Sequence, residues 1–430
     1  MEKEQTERSV IVVGGGPAGM MAAIHAAYGG ARVTLIESNA RLGIKLRITG
    51  KGRCNLTNDC DREEFLRSVP RNPRFLYAAL ARFSPADTQS FFELLGVPLK
   101  VERGKRVFPV SDRAHDVADA MVRQMKDCGV TVKNETARTL LLDESGERPR
   151  VVGVETASGS ILADRVILAT GGKSYPRTGS TGDGYRFARA AGHTVTEILP
   201  SLVPLVAEGS LCKSLQGLSL RNVGLRVVET GSEREIYEDF GEMLFTHFGL
   251  TGPLILSASA HLQDLRPGKY KVVIDLKPAL DEKVLDARIL SDFEKYRNKD
   301  LINALGDLLP QKLIAPMITL SGISERKKVH EITREERLAL VYRLKHLEIK
   351  IHGFRPIDEA IVTRGGVSVK EIDPKTMQSK LCEGLYFAGE LLDLDAYTGG
   401  FNLQIAFSTA VLAGESAAEE GEERRNGGGR

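Results

Sequence analysis

A chain of 430 residues with 42% hydrophobic and 27% charged side chains has the composition of a globular protein with ample core material, and it exceeds the roughly 250 to 300 residues at which a single core stops growing, so two or three domains are expected. Its 59 basic and 57 acidic side chains leave a formal net charge of +2, which gives no global field for nucleic acid or an anionic membrane and points to small-molecule partners. Five cysteines, at positions 54, 60, 128, 212 and 382, are odd in number and lack CxxC spacing, which argues against a disulfide framework or a zinc site, and no metal site is expected.

The amino terminus, Met1 to Ser9, is polar and partly acidic, unlike a signal peptide, and no apolar run reaches the length of a membrane span. A cytoplasmic protein without membrane partners is expected, its oligomeric state open. From Val10 an apolar, β-branched run enters Gly14-x-Gly16-x-x-Gly19, a small-residue helical pattern leaves it, and a second apolar run from Arg32 ends on Glu37. Strand, turn, helix, strand and acid in this order form the context that a dinucleotide fingerprint requires. Gly14 suits the tight turn, Gly16 and Ala18 bring backbone to a pyrophosphate across Pro17, Gly19 allows close helix packing, and Glu37 accepts from a ribose hydroxyl.

Residues 38 to 58 follow as a long segment without amphipathic period, dense in Gly, Lys, Arg and Asn; such a loop usually wraps something, and Lys45, Arg47, Lys51 and Arg53 stand where a diphosphate and its attached group would extend. Residues 61 to 128 read as helices with one hairpin. Ser84, Pro85 and Asp87 start a helix that Gly96 stops, the turn at Arg103 to Lys105 leads back through Val107, and Asp112 is placed to cap the helix that Gly129 ends. From Val130 to Leu168 the period switches to two, with four short strands implying a small antiparallel meander. Arg165 to Gly172 is a buried strand ending at Thr170 and Gly171, where a glycine pair lets the chain pass close to a ligand, and a glycine-rich loop from Tyr175 feeds a short helix.

A boundary falls near Pro200 to Pro204. Beyond it come strand-like alternation and then charged helices, among them one opened by the capping box Thr333/Glu336. The basic residues between Arg326 and Lys345 alternate with acids, the pattern of a solvated helical face more than of a nucleic-acid surface. Sheet chemistry returns with Ala360 to Val369 and Gly384 to Glu390, and Tyr397 to Asn402 is a glycine-rich loop opening a helix that ends at Gly414. The low-complexity tail is expected to be disordered.

A fingerprint at the start, a strand ending in Ala-Thr-Gly-Gly midway and another ending in Ala-Gly-Glu before a terminal helix form the discontinuous pattern of the two-dinucleotide-binding flavoproteins, which this chain resembles. Four stretches are specifically similar to the BaiN/YhiN-like, or aminoacetone-oxidase-like, family: Gly50 to Asn58, Arg106 to Asp112, Glu242 to Pro253, and Gly389 to Asp393 with Gly399 to Asn402. The resemblance implies an α/β fold: a Rossmann-like FAD-binding domain with a parallel sheet and a small antiparallel meander, interrupted by an inserted β-barrel-like and helical domain. The corresponding boundaries are 1–199 and 348–414 for the FAD domain, 200–347 for the insert and 415–430 for the tail. FAD is the implied cofactor, with Lys45 neutralising its phosphate or ribose oxygens, strand backbone near Ala137 meeting adenine, and Arg53, Cys54 and Asn55 along the isoalloxazine edge. Thr170, Gly171 and Gly389 complete the cofactor set, and Glu390 and Asp393 are alternative acceptors for ribityl hydroxyls. At the helix start after Gly400, amides of Phe401, Asn402 and Leu403 would stabilise negative charge on reduced flavin.

His247 is a candidate general acid or base, or else a core histidine, and Cys54 beside Arg53 is a candidate thiolate. The leading functional expectation is an oxidoreductase passing hydride between flavin N5 and a small molecule. No second GxGxxG follows a strand, so NAD(P)H, if used, enters only transiently. The alternatives are a flavin-dependent RNA-modifying enzyme and a non-catalytic flavin-bound sensor.

Overall fold

Val10 to Val13 are all buried, as a strand covered on both faces requires. In the computed structural model, which describes residues 8–419, this strand (Ser9–Val13) is the middle of a five-stranded parallel sheet. Its order is Leu385–Phe387, Arg165–Leu168, Ser9–Val13, Arg32–Ile36, Thr131–Lys133. The carboxyl ends are tied in series: Ala388 N–H donates to Leu168 (3.0 Å), Ala169 to Val13 (2.9 Å), Gly14 to Ile36 (2.9 Å) and Glu37 to Lys133 (3.0 Å). One edge of the sheet therefore gathers Gly14, Glu37, Thr170 and Gly389, the place where open α/β sheets bind ligands.

Helix Pro17–Tyr28 and the terminal helix Phe401–Ala418 are buried on nearly all sides. They cross closely enough that a Cβ on Gly414 would lie 2.4 Å from the Ala22 carbonyl oxygen. Gly414 thus serves a helix crossing and not a helix stop, and the helix continues to Ala418, with Glu415 held by Arg82 and His25. The tail assigned from residue 415 therefore begins as helix, and positions 420–430 lie outside the described residues.

The chain divides into two compact units, residues 8–201 with 360–419 and residues 202–359. The first unit adds two three-stranded antiparallel sheets, Ala137–Asp143 with Arg150–Thr156 and Gly159–Leu162, and Thr57–Asn58 with Arg106–Pro109 and Leu99–Glu102. The expected meander thus has three strands, since Thr131–Lys133 joins the parallel sheet as its edge. The helix start at Ser84 is a complete capping box with Asp87. Asp112, in contrast, caps nothing: it sits at φ +55 and pairs with Lys100 and Arg53, and the next helix starts behind Arg113 without a side-chain cap.

The second unit is a closed antiparallel barrel in the order Leu205–Ala207, Gly249–Thr251, Arg234–Phe245, Ser219–Glu229, Tyr270–Asp275, Leu347–Phe354. Its helices include Glu282–Lys295, Gln311–Leu320 and Arg334–Lys345, the last opened by the Thr333/Glu336 capping box. Strand Leu347–Phe354 closes the barrel on Leu205–Ala207, so this unit runs past the residue-347 boundary to Glu359. Alternating burial along that strand faces Leu347, Ile349 and Ile351 inward, which is what closure requires. Among the described residues, no helix is long and apolar enough to cross a membrane.

Candidate cofactor site

The first turn has the mechanics that its glycines announce. Gly14 has φ +108 and a Cβ there would stand 2.5 Å from the Ala169 carbonyl oxygen, so only glycine fits. Gly16 has extended backbone and a Cβ there would meet no atom within 4 Å: this position opens on space. Gly16 carries no side-chain cap and Pro17 follows, so the helix presents its first amides, those of Ala18 and Gly19, without a protein side chain to take them. Glu37 is rigidly held, with Oε2 accepting from Gly15 N–H (2.6 Å) and Oε1 accepting from the Asn39 backbone (2.8 Å) and side chain (2.7 Å). Asn134 closes the corner by donating to the carbonyls of Glu37 and Asn39, just ahead of the strand that begins at the buried Ala137.

Further along the same sheet edge, the structure brings together residues distant in sequence. A Cβ on Gly389 would lie 2.7 Å from that of Ala18, and Gly389 N–H donates to Thr409 Oγ1, so the last parallel strand ends against the first helix. Lys45 Nζ donates to Ser174 Oγ (2.7 Å) and to Glu390 Oε2 (2.8 Å). Gly171 has φ +73 beside Ser180, and the neighbouring Thr170 hydroxyl is buried without a hydrogen-bond partner among the described residues.

The terminal helix starts in the same way as the first. Gly400, at φ +99, lies so close to strand Thr57–Asn58 that a Cβ would stand 2.3 Å from the Thr57 carbonyl oxygen. Asn55, with its amide turned to suit its neighbours, donates to the carbonyls of Thr57 (3.1 Å) and Val107 (3.2 Å) and accepts from Gly400 N–H (3.0 Å). The Asn402 side chain exchanges hydrogen bonds with the Ala396 backbone, while no side chain caps the helix, leaving the amides of Phe401, Asn402 and Leu403 presented. Phe401 itself is buried edge-on against Phe65. An open turn at Gly16, two uncapped helix starts and a fixed ribose-type acid fit an extended dinucleotide.

The catalytic candidates fare differently. Cys54 is fully buried and burial pushes its thiol up to about 12, which disfavours the thiolate. Arg53 stacks over Phe108 (4.2 Å) and pairs with Glu102 and Asp112. His247 lies in the second unit, exposed in the turn between Phe245 and Gly249, with its ring edge-on to Phe248 (5.0 Å). Asp393 is half-buried; burial raises its pKa against the opposing pull of Arg71, and Asn72 lies at 3.4 Å from its Oδ2.

Several site neighbours escape sequence reasoning. Buried Asp395 pairs with Arg71 and accepts from Ser201 Oγ (2.6 Å). Buried Gln404 accepts from Thr57 and Thr88 and donates to Phe83 and Ser408, fastening the terminal helix under the loop. Tyr185 is buried, its hydroxyl pKa raised by burial first and then by Glu390 and Asp393. Of these, Gln404 leaves a trace in the sequence, as a long polar side chain in a mostly apolar helical run that also carries Asn402, Ser408 and Thr409.

Comparison with known proteins bears directly on this geometry. The model of the HI0933-like protein Rossmann domain matches residues 8–416. The chain belongs to this family. The resemblance to BaiN/YhiN-like FAD-dependent oxidoreductases is thereby borne out, and this family member is an FAD-dependent oxidoreductase. It is 32% identical over 413 residues to a 3-dehydro-bile acid delta(4,6)-reductase of Clostridium scindens, covering 95% of this chain and 98% of that protein. It is 30% identical over 401 residues to a ribosomal RNA dihydrouridine synthase of Escherichia coli, covering 93% and 95%. Among solved structures, a 3-ketosteroid delta1-dehydrogenase from Sterolibacterium denitrificans shares the fold at a TM-score of 0.51 and 14% identity, over 96% of this chain and 99% of that one.

Proposed function

We propose that this FAD-dependent oxidoreductase reduces a carbon–carbon double bond conjugated to a carbonyl in a small molecule, with NAD(P)H as a transient electron donor. What carries the reading is that two relatives matched end to end, at 32% and 30% identity, share one operation by name. A delta-reductase of a 3-dehydro bile acid and a dihydrouridine synthase each add two hydrogens across a double bond. When bound, FAD supplies hydride transfer through its flavin N5.

The chain's own part is binding and electrostatics. The amides of Ala18 and Gly19 and the Lys45 ammonium neutralise the diphosphate, Glu37 accepts from the adenosine ribose, and Asp393 takes ribityl hydroxyls. The Phe401, Asn402 and Leu403 amides favour the anionic reduced state from a helix start already free of any capping side chain. Neither Cys54 nor His247 is assigned a proton-transfer role.

A second reading, reduction of a uridine carried in RNA, is favoured by the dihydrouridine synthases at 30% identity in Escherichia coli and Haemophilus influenzae. Against it, four of the cations between Lys327 and Lys345 are paired with acids: Lys327 with Glu336, Lys328 with Asp300, Arg337 with Asp286 and Lys345 with Asp275. Anaerobic stopped-flow spectroscopy separates the two. The flavin should bleach with NADH or NADPH and recover its colour on addition of a cyclic enone. Recovery with a uridine-containing rRNA fragment and not with the enone would transfer the assignment to RNA, and no bleaching with either nucleotide would remove the nicotinamide donor.

A further inference from the structure

Glu390 stands where flavoproteins of this type place an acid for the ribityl chain, yet its oxygens are occupied by protein. Oε1 accepts from the Thr363 backbone N–H (2.8 Å) and lies 3.2 Å from Ser174 Oγ, and Oε2 accepts from Lys45 Nζ (2.8 Å). Thr363 is fixed in turn, its Oγ1 accepting from the backbone N–H groups of Lys173 (2.8 Å) and Ser174 (3.2 Å). Gly172 makes room for this assembly: a Cβ there would lie 2.3 Å from Thr363 Oγ1 and 2.8 Å from Glu390 Oε1. The second glycine of the Thr170-Gly171-Gly172 run therefore accommodates a protein clamp, where the sequence suggested close approach to a ligand. Lys45, for its part, uses two of its three ammonium donors on Ser174 and Glu390, which fixes the direction of the third.

We propose that Glu390 is a positioning residue that acts on the cofactor by aiming the Lys45 ammonium. The clamp joins three stretches of the first unit, around Lys45, Ser174 and Thr363, so its loss is felt by the protein without cofactor as well. This inference rests on the FAD reading, and its test distinguishes the two: a protein that takes up no FAD fails that reading, whereas one that binds FAD with additive effects fails only this one.

The test is a double-mutant cycle on the full chain, titrating apoprotein with FAD and following flavin fluorescence, with thermal unfolding of each apoprotein alongside. If Glu390 acts through Lys45, Glu390→Gln weakens FAD binding about 10-fold in the native background and less than about 2-fold once Lys45→Met is present. The apoprotein of Glu390→Gln should also melt at a lower temperature than the native apoprotein. Ser174→Ala, which removes one holder of the same ammonium, should weaken FAD binding in the same direction and lose its effect in the Lys45→Met background. Equal losses from Glu390→Gln in both backgrounds, or an apoprotein melting temperature that does not move while FAD affinity falls, would show a direct ribityl ligand and overturn the proposal.

Discussion

Two side chains show how burial overrides a nearby charge. Cys54 follows an arginine, but the thiol is enclosed and held up to about 12 while Arg53 reaches outward to Glu102 and Asp112. Thiol labelling of the native protein at pH 8 should therefore modify the half-buried Cys128 first and leave until unfolding Cys54 and Cys60, whose thiol burial likewise pushes up to about 12; mass spectrometry showing early modification of Cys54 would contradict its assignment as inert. His193 is the second case. Its Nε2 meets Ser379 Oγ at 2.7 Å and its Nδ1 lies 3.3 Å from Glu371, and burial lowers its pKa despite the carboxylate. The unfolded chain, titrating near the ordinary value of about 6.5, binds the proton more readily, so stability is full above that pH and declines on acidification toward the folded pKa. Melting temperatures at pH 7.5 and pH 5 should differ more for the native protein than for His193→Gln. Equal differences would take His193 out of the acid response.

At the scale of elements, the two helix starts make the sharpest forecast, because neighbouring glycines in one motif do different work. A methyl group on Gly14 collides with the Ala169 carbonyl and sits at positive φ, whereas one on Gly16 enters open space at ordinary φ. Gly14→Ala should thus cost roughly 2 to 4 kcal/mol of apoprotein stability, while Gly16→Ala should leave apoprotein unfolding within about 0.5 kcal/mol of native and lower FAD affinity by at least about 10-fold. Denaturant unfolding beside FAD titration reads both; undiminished FAD affinity in Gly16→Ala would move the diphosphate away from this turn. The contrast also shows what was legible. The fingerprint, both capping boxes and the helix after Gly400 are local patterns, written within a few residues. Strand Thr131–Lys133 was assigned to the wrong sheet because, as an exposed edge, it shows no burial alternation to distinguish a parallel neighbour from a meander. The clamp on Lys45 was invisible because its partner stands 345 positions away.

For the molecule as a whole, the chain ends build one unit and the middle builds another, and each has its own hydrophobic core. One core gathers the parallel-sheet strands, the first helix and the terminal helix; the other gathers the barrel interior with Leu285, Ile289, Leu313, Met317 and Leu344 from its helices. The residues proposed to hold the cofactor, from Gly16 to Leu403, all belong to the first unit. A ligand stabilises the folding unit that binds it by mass action, in proportion to the logarithm of its concentration over its dissociation constant. Calorimetric unfolding should accordingly resolve into two transitions, with FAD at about 100 times its dissociation constant adding about 2.7 kcal/mol to one of them. Limited proteolysis during the scan identifies that transition through cleavage between residues 8 and 201. A single transition that FAD raises as a whole would instead mean that the two cores unfold as one cooperative body, and the barrel would share the cofactor's stabilisation in full.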